Sequence, residues 1–318
     1  MRKTHWLAAA IVAMAAVAVT PAHAATQFIN ILTGGQSGVY YPLGVALSQI
    51  YSKHIPDAKS TAQVTKASAE NMNLLEAGRG ELAFALADTV ADAYTGNAEA
   101  GFKAPLTKLR GMTGTYNNYI QIVANADSGI KTLADLKGKR ISVGAARSGT
   151  ELNARAVLKA AGLSYDDFSK VEYLPFGESV ELMKNRQLDV TLQSAGLGVA
   201  SIRDLATSVS IVIVPIPVDV IEKIGNAAYQ PATIPADTYE GQTTATPTVA
   251  VPNFLITAET VPDDLVYEMT KVFYEQLDTL KAAHNAAKAI DIKNALKGMP
   301  VPVHPGAERY FKEVGLIQ

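Results

Sequence analysis

The stretch Gly34-Gly35-Gln36-Ser37-Gly38-Val39-Tyr40-Tyr41-Pro42 follows an apolar run at residues 28–32 and opens a helical pattern over residues 39–53. A glycine turn between strand and helix presents backbone N–H groups at the positive end of a helix dipole, which suits a phosphate or a carboxylate. A phosphate loop of the G-x-x-x-x-G-K-[ST] kind needs a lysine on the terminal phosphates, and this stretch holds none; the dinucleotide pattern G-x-G-x-x-G is absent too. Thr33, Gly35 and Tyr40 are therefore candidates for cradling another anion, the plain alternative being a tight turn with core tyrosines. Gly144-Ala145-Ala146-Arg147-Ser148-Gly149-Thr150 repeats the arrangement. Ser148 and Thr150 offer hydroxyls, Gly149 lets a ligand approach the backbone, and Arg147 can pair with a carboxylate through two N–H groups. Against this, Ser148 can simply cap the helix and Arg147 can be solvated. Lys66-Ala67-Ser68-Ala69-Glu70-Asn71 precedes a third helix, with Ser68 expected at the N-cap and Asn71 at the capping-box position. Gln193-Ser194-Ala195-Gly196 closes a strand in the same way, with Gly196 a candidate for backbone approach.

These turns need strands and helices to place them. Apolar runs at 28–32, 82–86, 120–124, 140–143, 171–174, 190–193 and 209–214 read as strands, and 249–255 resumes strand character. Helical patterns at 39–53, 69–77, 150–161, 178–185 and 198–206 alternate with them, and residues 262–298 read as helical. Such alternation implies an α/β fold with two mixed, mostly parallel sheets. The pattern starts a second cycle near residue 120, and an irregular stretch rich in Pro, Thr and Gly spans 226–247. The chain is thus expected to build lobe 1 from residues 25–120 and 245–318, and lobe 2 from 121–244. Two crossings make a hinge with an interlobe cleft, and ligands in open α/β sheets lie beyond the carboxyl ends of strands, where the glycine turns sit. Tyr116, near the first crossing, either stacks on a solute or packs in the hinge. Asp88 either receives a ligand ammonium group or caps a helix. His304 reads as structural, and His54 and His284 as surface residues of helices.

Residues 1–24 carry Arg2 and Lys3, an apolar run at 7–19 and the A-x-A triplet Ala22-His23-Ala24, the marks of a signal peptide cleaved after Ala24 and hence of a periplasmic protein. A retained anchor is the alternative, though the run is short for a span, and no cysteine is present to carry a lipid. Hydrophobic residues at 48% and charged ones at 18% are ordinary for a globular chain. The 28 basic residues do not exceed the 30 acidic ones and form no long run, so nucleic acid is not the expected partner. Zero cysteines exclude disulfides and thiol catalysis. The G-x-S-x-G elbow and H-E-x-x-H are missing, so no catalytic residue, metal site or cofactor is expected.

TGGQSGVYYPLG (33–44), ASAENMNLLEAG (67–78), SGIKTLADLKGKRISVG (128–144), SGTELNAR (148–155) and HPGAERYFKEVG (304–315), in this order and spacing, resemble the TAXI-type solute-binding proteins of TRAP transporters. The resemblance implies a two-lobed, type II-like periplasmic-binding-protein fold, usually monomeric, that closes on a small solute. It further implies delivery to a TRAP membrane permease driven by an ion gradient, and ligands such as glutamate, glutamine or 2-oxoglutarate. This chain departs from relatives in two turns. Lys66 and Ala67 stand where more glycine and an acidic residue are usual, and Ala145-Ala146-Arg147 replaces a glycine- or proline-rich segment. Lys66 and Arg147 would then favour a second carboxylate on the ligand. A sensing partner of a membrane receptor, or a bilobal enzyme related to those of pyrimidine synthesis, would use the same cleft.

Overall fold

The computed structural model describes residues 26–318, so the segment read as a signal peptide, residues 1–24, lies outside the described residues. Strands β1 (Gln27–Leu32), β2 (Ala58–Gln63) and β3 (Leu82–Leu86) run parallel and are interleaved with helices α1 (Tyr40–His54) and α2 (Ser68–Glu76); α3 (Ala87–Thr95) follows β3 without a loop. The long strand β4 (Leu109–Asn125) leads to β5 (Arg140–Ser142), α4 (Gly149–Ala160), β6 (Lys170–Glu172), α5 (Phe176–Lys184), β7 (Val190–Ala195) and α6 (Ala200–Ser208). Then come β8 (Ile211–Val214), α7 (Val218–Ile224), β9 (Gln230–Ile234), the second long strand β10 (Thr246–Ala258), α8 (Asp263–Glu275), α9 (Leu277–Ala283) and α10 (Pro305–Glu313).

The strands form one continuous mixed sheet in the order β2-β1-β3-β10-β4-β7-β5-β6, with β8 on β4 and β9 on β10. The sheets of the two lobes are continuous because β4 and β10 belong to both. β10 pairs with β3 at one end and β9 at the other, while β4 pairs with β10 and then with β7 and β8. The boundary read at residue 120 falls inside β4, and that read at 245 falls just before β10. The β4–β10 register shifts beside Pro252, which lacks the N–H a ladder needs.

Strand periodicity sorts side chains between two cores, one on each face. In β3, Leu82 and Phe84 join the cluster packed under α1, α8 and α10, while Ala83, Ala85 and Leu86 join that under α2, α3 and α4. All five β3 residues are buried, as a strand covered on both faces requires. Two strands carry no such signal: β2 reads Ala-Lys-Ser-Thr-Ala-Gln, and β9 lies in the stretch that reads as irregular. Both form by pairing with a strong neighbour, β1 and β10. The 262–298 region is two helices followed by 3₁₀ turns at Asn285–Ala289 and Ile292–Asn294. Among the described residues no helix is long and apolar enough to cross a membrane.

Candidate functional site

A cleft of 460 Å³ lies between the lobes, and four helices point their N-termini at it. α1 and α2 come from the lobe of β1–β3; α4 and α5 come from the lobe of β5–β7. Gly38 and Val39, Ala67 and Ser68, Ser148 to Thr150, and Pro175 to Gly177 bring these ends to its wall. A helix start leaves N–H groups without intrahelical partners, and together with the dipoles they favour negative charge. Among the lining residues Lys66 is the only basic side chain and Glu178 the only acidic one, and both are exposed. The remaining side-chain donors are neutral, among them Ser68, Ser148, Thr150, Asn118, Ser194 and two tyrosines, Tyr40 and Tyr116. Val64, Leu86 and Phe176 add apolar wall.

The floor is a hydrogen-bonded bridge across the two long strands. The Tyr40 hydroxyl donates to Asn253 Oδ1, and the ring stacks on Phe84 with centroids 5.1 Å apart. Asn253 Nδ2 donates to Asn118 Oδ1 at 2.8 Å, and Asn118 Nδ2 donates to the Ser194 carbonyl at 2.8 Å. Burial pushes the Tyr40 and Tyr116 phenols well above their ordinary range, so both are neutral donors. The Tyr116 hydroxyl is buried at the cleft with no protein partner. A buried hydroxyl without a partner carries a desolvation cost, which a polar solute atom would remove.

The lobes meet at the cleft edges. The Glu70 N–H, in the first turn of α2, donates to the Arg147 carbonyl at 3.2 Å, and the Ser201 N–H donates to the Ser37 carbonyl at 3.4 Å. Gly149 opens α4 directly against Ser68 and Leu86: a Cβ there would lie 2.7 Å from Ser68 Oγ. These contacts define a closed arrangement.

The structure brings Gly35, Tyr40, Ser68, Tyr116, Ser148, Gly149 and Thr150 together on the cleft, and places Thr33, Asn71, Asp88, Arg147 and Gly196 elsewhere. Thr33 Oγ1 donates to the Gln63 carbonyl at 2.7 Å, tying β1 to the end of β2. Asn71 is fully buried; its Nδ2 donates to the Thr33 and Phe84 carbonyls at 2.8 and 2.9 Å, and its Oδ1 accepts from Thr65. It holds the strand ends that carry the first turn, so no capping box forms, and the N-cap position is Ala67, not Ser68. Ser68 instead accepts from the Leu86 N–H at 3.2 Å. Arg147 is exposed and left-handed at φ 63°; only its backbone serves the site, so Lys66 is the one cation at the cleft. Gly196 is pressed against Tyr116 and Ala286, where a Cβ would fall 2.8 Å from the alanine methyl. Asp88 is buried outside the cleft, on neighbouring recesses, and does not occupy the N-cap position of α3, which is Leu86. Ser148 both caps α4, accepting from the Glu151 N–H at 3.1 Å, and faces the cleft. His304 is buried and caps α10, and His54 is exposed as expected; His284 differs, being half-buried and capping the turn at 285–289 through the Ala286 N–H.

Glycine and hydroxyl spacing does not single out the turn before α5, although Pro175-Phe176-Gly177 after β6 repeats the strand-to-helix pattern of the others. Asn118 sits mid-strand in β4, where no turn marks it.

Two lobes joined by paired long strands, with helix N-termini around the cleft between them, make the type II-like fold of periplasmic binding proteins. Solved structures share it. PhnD1 from Prochlorococcus marinus (MIT 9301), determined in complex with methylphosphonate, aligns with a TM-score of 0.57 at 11% identity, over 92% of this chain and 100% of its own. A protein of Bordetella bronchiseptica RB50 gives 0.56 at 14% identity, over 90% and 98%. A structure described as a periplasmic transporter gives 0.55 at 16% identity, over 91% and 93%. The chain belongs to the NMT1-like family, which it matches over residues 31–315.

Proposed function

We propose that this protein is the extracytoplasmic solute-binding subunit of a TRAP-type transporter of the TAXI kind, a periplasmic monomer that closes on a small organic acid and delivers it to the membrane permease. The observation that carries the reading is the convergence of four helix N-termini on one cleft whose lining offers a single cation, Lys66. Fixed backbone dipoles and neutral hydroxyls replace water around an oxyanion, with Lys66 as the one side-chain charge of opposite sign at the cleft. No covalent step is required of any residue. Closure is a population shift, set by how much better the solute binds when both lobes touch it. The lobe boundaries near residues 120 and 245, and cleavage after Ala24, belong to the same proposal.

The ligand is a carboxylate of the size of glutamate, glutamine or 2-oxoglutarate, its carboxylate at the helix N-termini and its carbon chain along Val64 and Phe176. Thr33 and Asn71 support the cradle from behind, and Gly35, Tyr40, Ser68, Tyr116, Ser148, Gly149 and Thr150 touch the solute. The transporter type rests on the motif resemblance; uptake through the partner permease should follow an ion gradient and need no ATP.

Native mass spectrometry of the mature chain, purified without refolding, tests the reading. A retained acid identified by mass, and rebinding of that acid by calorimetry, is the expected result. Calorimetry with glutamate, glutamine, 2-oxoglutarate, an alkanesulfonate and methylphosphonate fixes the head group. Tighter binding of the sulfonate or phosphonate would remove the carboxylate assignment, and no binding of any small anion would remove solute capture.

A further inference from the structure

Away from the ligand cleft, the lobes are joined by a buried cluster built around Asp88. One carboxylate oxygen, Oδ2, accepts from Asn153 Nδ2 and from the Tyr229 hydroxyl, both at 2.6 Å. The other, Oδ1, accepts from the Thr89 N–H at 2.7 Å. Asp88 stands on α3, in the lobe of β1–β3; Asn153 stands on α4 and Tyr229 just before β9, in the other. Asn153 Nδ2 also reaches the Tyr229 oxygen at 2.8 Å, so the two donors brace each other. All three residues are buried, and none lines the cleft.

We propose that Asp88, Asn153 and Tyr229 form an interlobe latch, a set of positioning residues that stabilises closure and sets how firmly the site holds its solute without touching it. The proposal rests on the reading that the lobes separate and close. The reasoning is a comparison of the two states. Closed, the carboxylate is buried and held by two donors from the opposite lobe; parted, it is hydrated and those donors face water. A charge-assisted hydrogen bond is about twice as strong as a neutral one, yet burying a carboxylate is costly, so the latch is nearly balanced and responds to small changes.

Protonation is one such change. Burial pushes the Asp88 carboxyl up to about 6 in the closed form, with the Tyr229 and Thr89 hydrogen bonds opposing and Asp92, one turn along α3, adding to the rise. Tyr40 of α1 also senses the charge. The recess beside Asp88 further holds Glu99, Arg155 and Lys159 around α4, and Lys223 of α7. Parted lobes return the carboxyl towards its ordinary value near 3.9. A group with the higher pKa in the closed state binds a proton on closing, so closure strengthens as pH falls through 6 and weakens as pH rises past it. Buried Asn153 Oδ1 has no partner, so after the amide rotates it can accept the proton that Asp88 then carries. Linkage over a rise of this size makes the closed-to-open ratio about tenfold higher at pH 5 than at pH 7.5.

The test reads lobe separation with no solute present. The native chain has no cysteine, so spin labels attach cleanly to K53C and K131C, both exposed, and double electron–electron resonance reports the distance distribution. The expected result is a closed population that grows about tenfold in ratio from pH 7.5 to pH 5. Asp88→Asn should abolish that slope, and Tyr229→Phe, which removes a hydrogen bond that opposes the rise, should lower the closed ratio several-fold at pH 7.5 and enlarge the slope. A merely structural role would lower thermal stability in both variants and leave the pH profile of the distances in place, which would overturn the latch. One distance at every pH and in every variant would overturn the latch and the capture mechanism together. Lobes that part, but equally in wild type and both variants, would overturn the latch alone.

Discussion

Gly149→Ala should fold as well as the wild type and yet bind its solute poorly. The residue opens α4, and its backbone is not left-handed, so alanine is conformationally acceptable there and a better helix former by up to about 1 kcal/mol. The obstacle lies in the opposite lobe. A Cβ would stand 2.7 Å from Ser68 Oγ and Leu86 Cδ1 and 3.0 Å from Ser68 Cβ. The leucine methyl can swing away, but Ser68 cannot: it is buried and its Oγ is engaged by the Leu86 N–H. The overlap is therefore relieved by parting the lobes. Overpacking of this kind costs about 1–3 kcal/mol, and here the cost falls on the closed form alone. Since 1.4 kcal/mol is a factor of ten, affinity should drop about 5- to 150-fold. Calorimetry with the acid that copurifies with the wild type measures the loss, and the thermal midpoint of the solute-free variant should equal or exceed that of the wild type. Wild-type affinity in the variant would refute the reasoning, because Gly149 and Ser68 would then not meet when the solute is held.

Three further substitutions separate support of the cradle from contact with the solute. Asn71→Ala removes one side chain that satisfies the Thr33 and Phe84 carbonyls and the Thr65 hydroxyl; urea unfolding should show a loss of about 3 kcal/mol, with affinity also weakened because the helix starts it fixes are no longer preorganised. Tyr116→Phe deletes a buried hydroxyl that has no protein partner, so stability should hold or rise by up to about 1 kcal/mol while affinity falls about tenfold; unchanged affinity would show that this hydroxyl does not meet the solute. Ala67 sits at φ 69°, ψ −149°, a region almost reserved for glycine; Ala67→Gly should relieve the strain and raise unfolding stability by about 1 kcal/mol, and a loss of stability there would contradict that strain.

The α/β alternation was legible because most strands are covered on both faces and read as short apolar runs, and the turns before α1, α2 and α4 could be placed from glycine and hydroxyl spacing. Chain regions whose structure depends on a neighbour were not legible. β2 and β9 have no pattern of their own, and β4 begins at Leu109, eleven residues before its apolar run, because its first half carries Gly111, Gly114, Asn117 and Asn118. The site was legible to a similar depth. Composition named the turns but not the direction in which a polar side chain points, and that depends on a register of one residue.

The polar residues near the turns divide by that direction, and the division explains how the cradle works. Ser68, Ser148 and Thr150 face the cleft; Thr33 and Asn71 face inward and bind carbonyls at the ends of β1 and β2 and within β3. A cradle of backbone N–H groups acts on an anion only if those groups already point at it, since reorienting them on binding would consume the interaction. The inward amide and hydroxyl hold the carboxyl ends of the strands, and with them the starts of α1 and α2, in one place. The same argument accounts for Asp88. An acid in the cleft would repel an anionic solute; placed behind it, with donors from the other lobe, it turns a buried charge into a device for closure. The residue types that make the site and those that hold it are alike, and Ser148, which faces the cleft and caps α4, does both, so its removal should weaken solute binding and stability together.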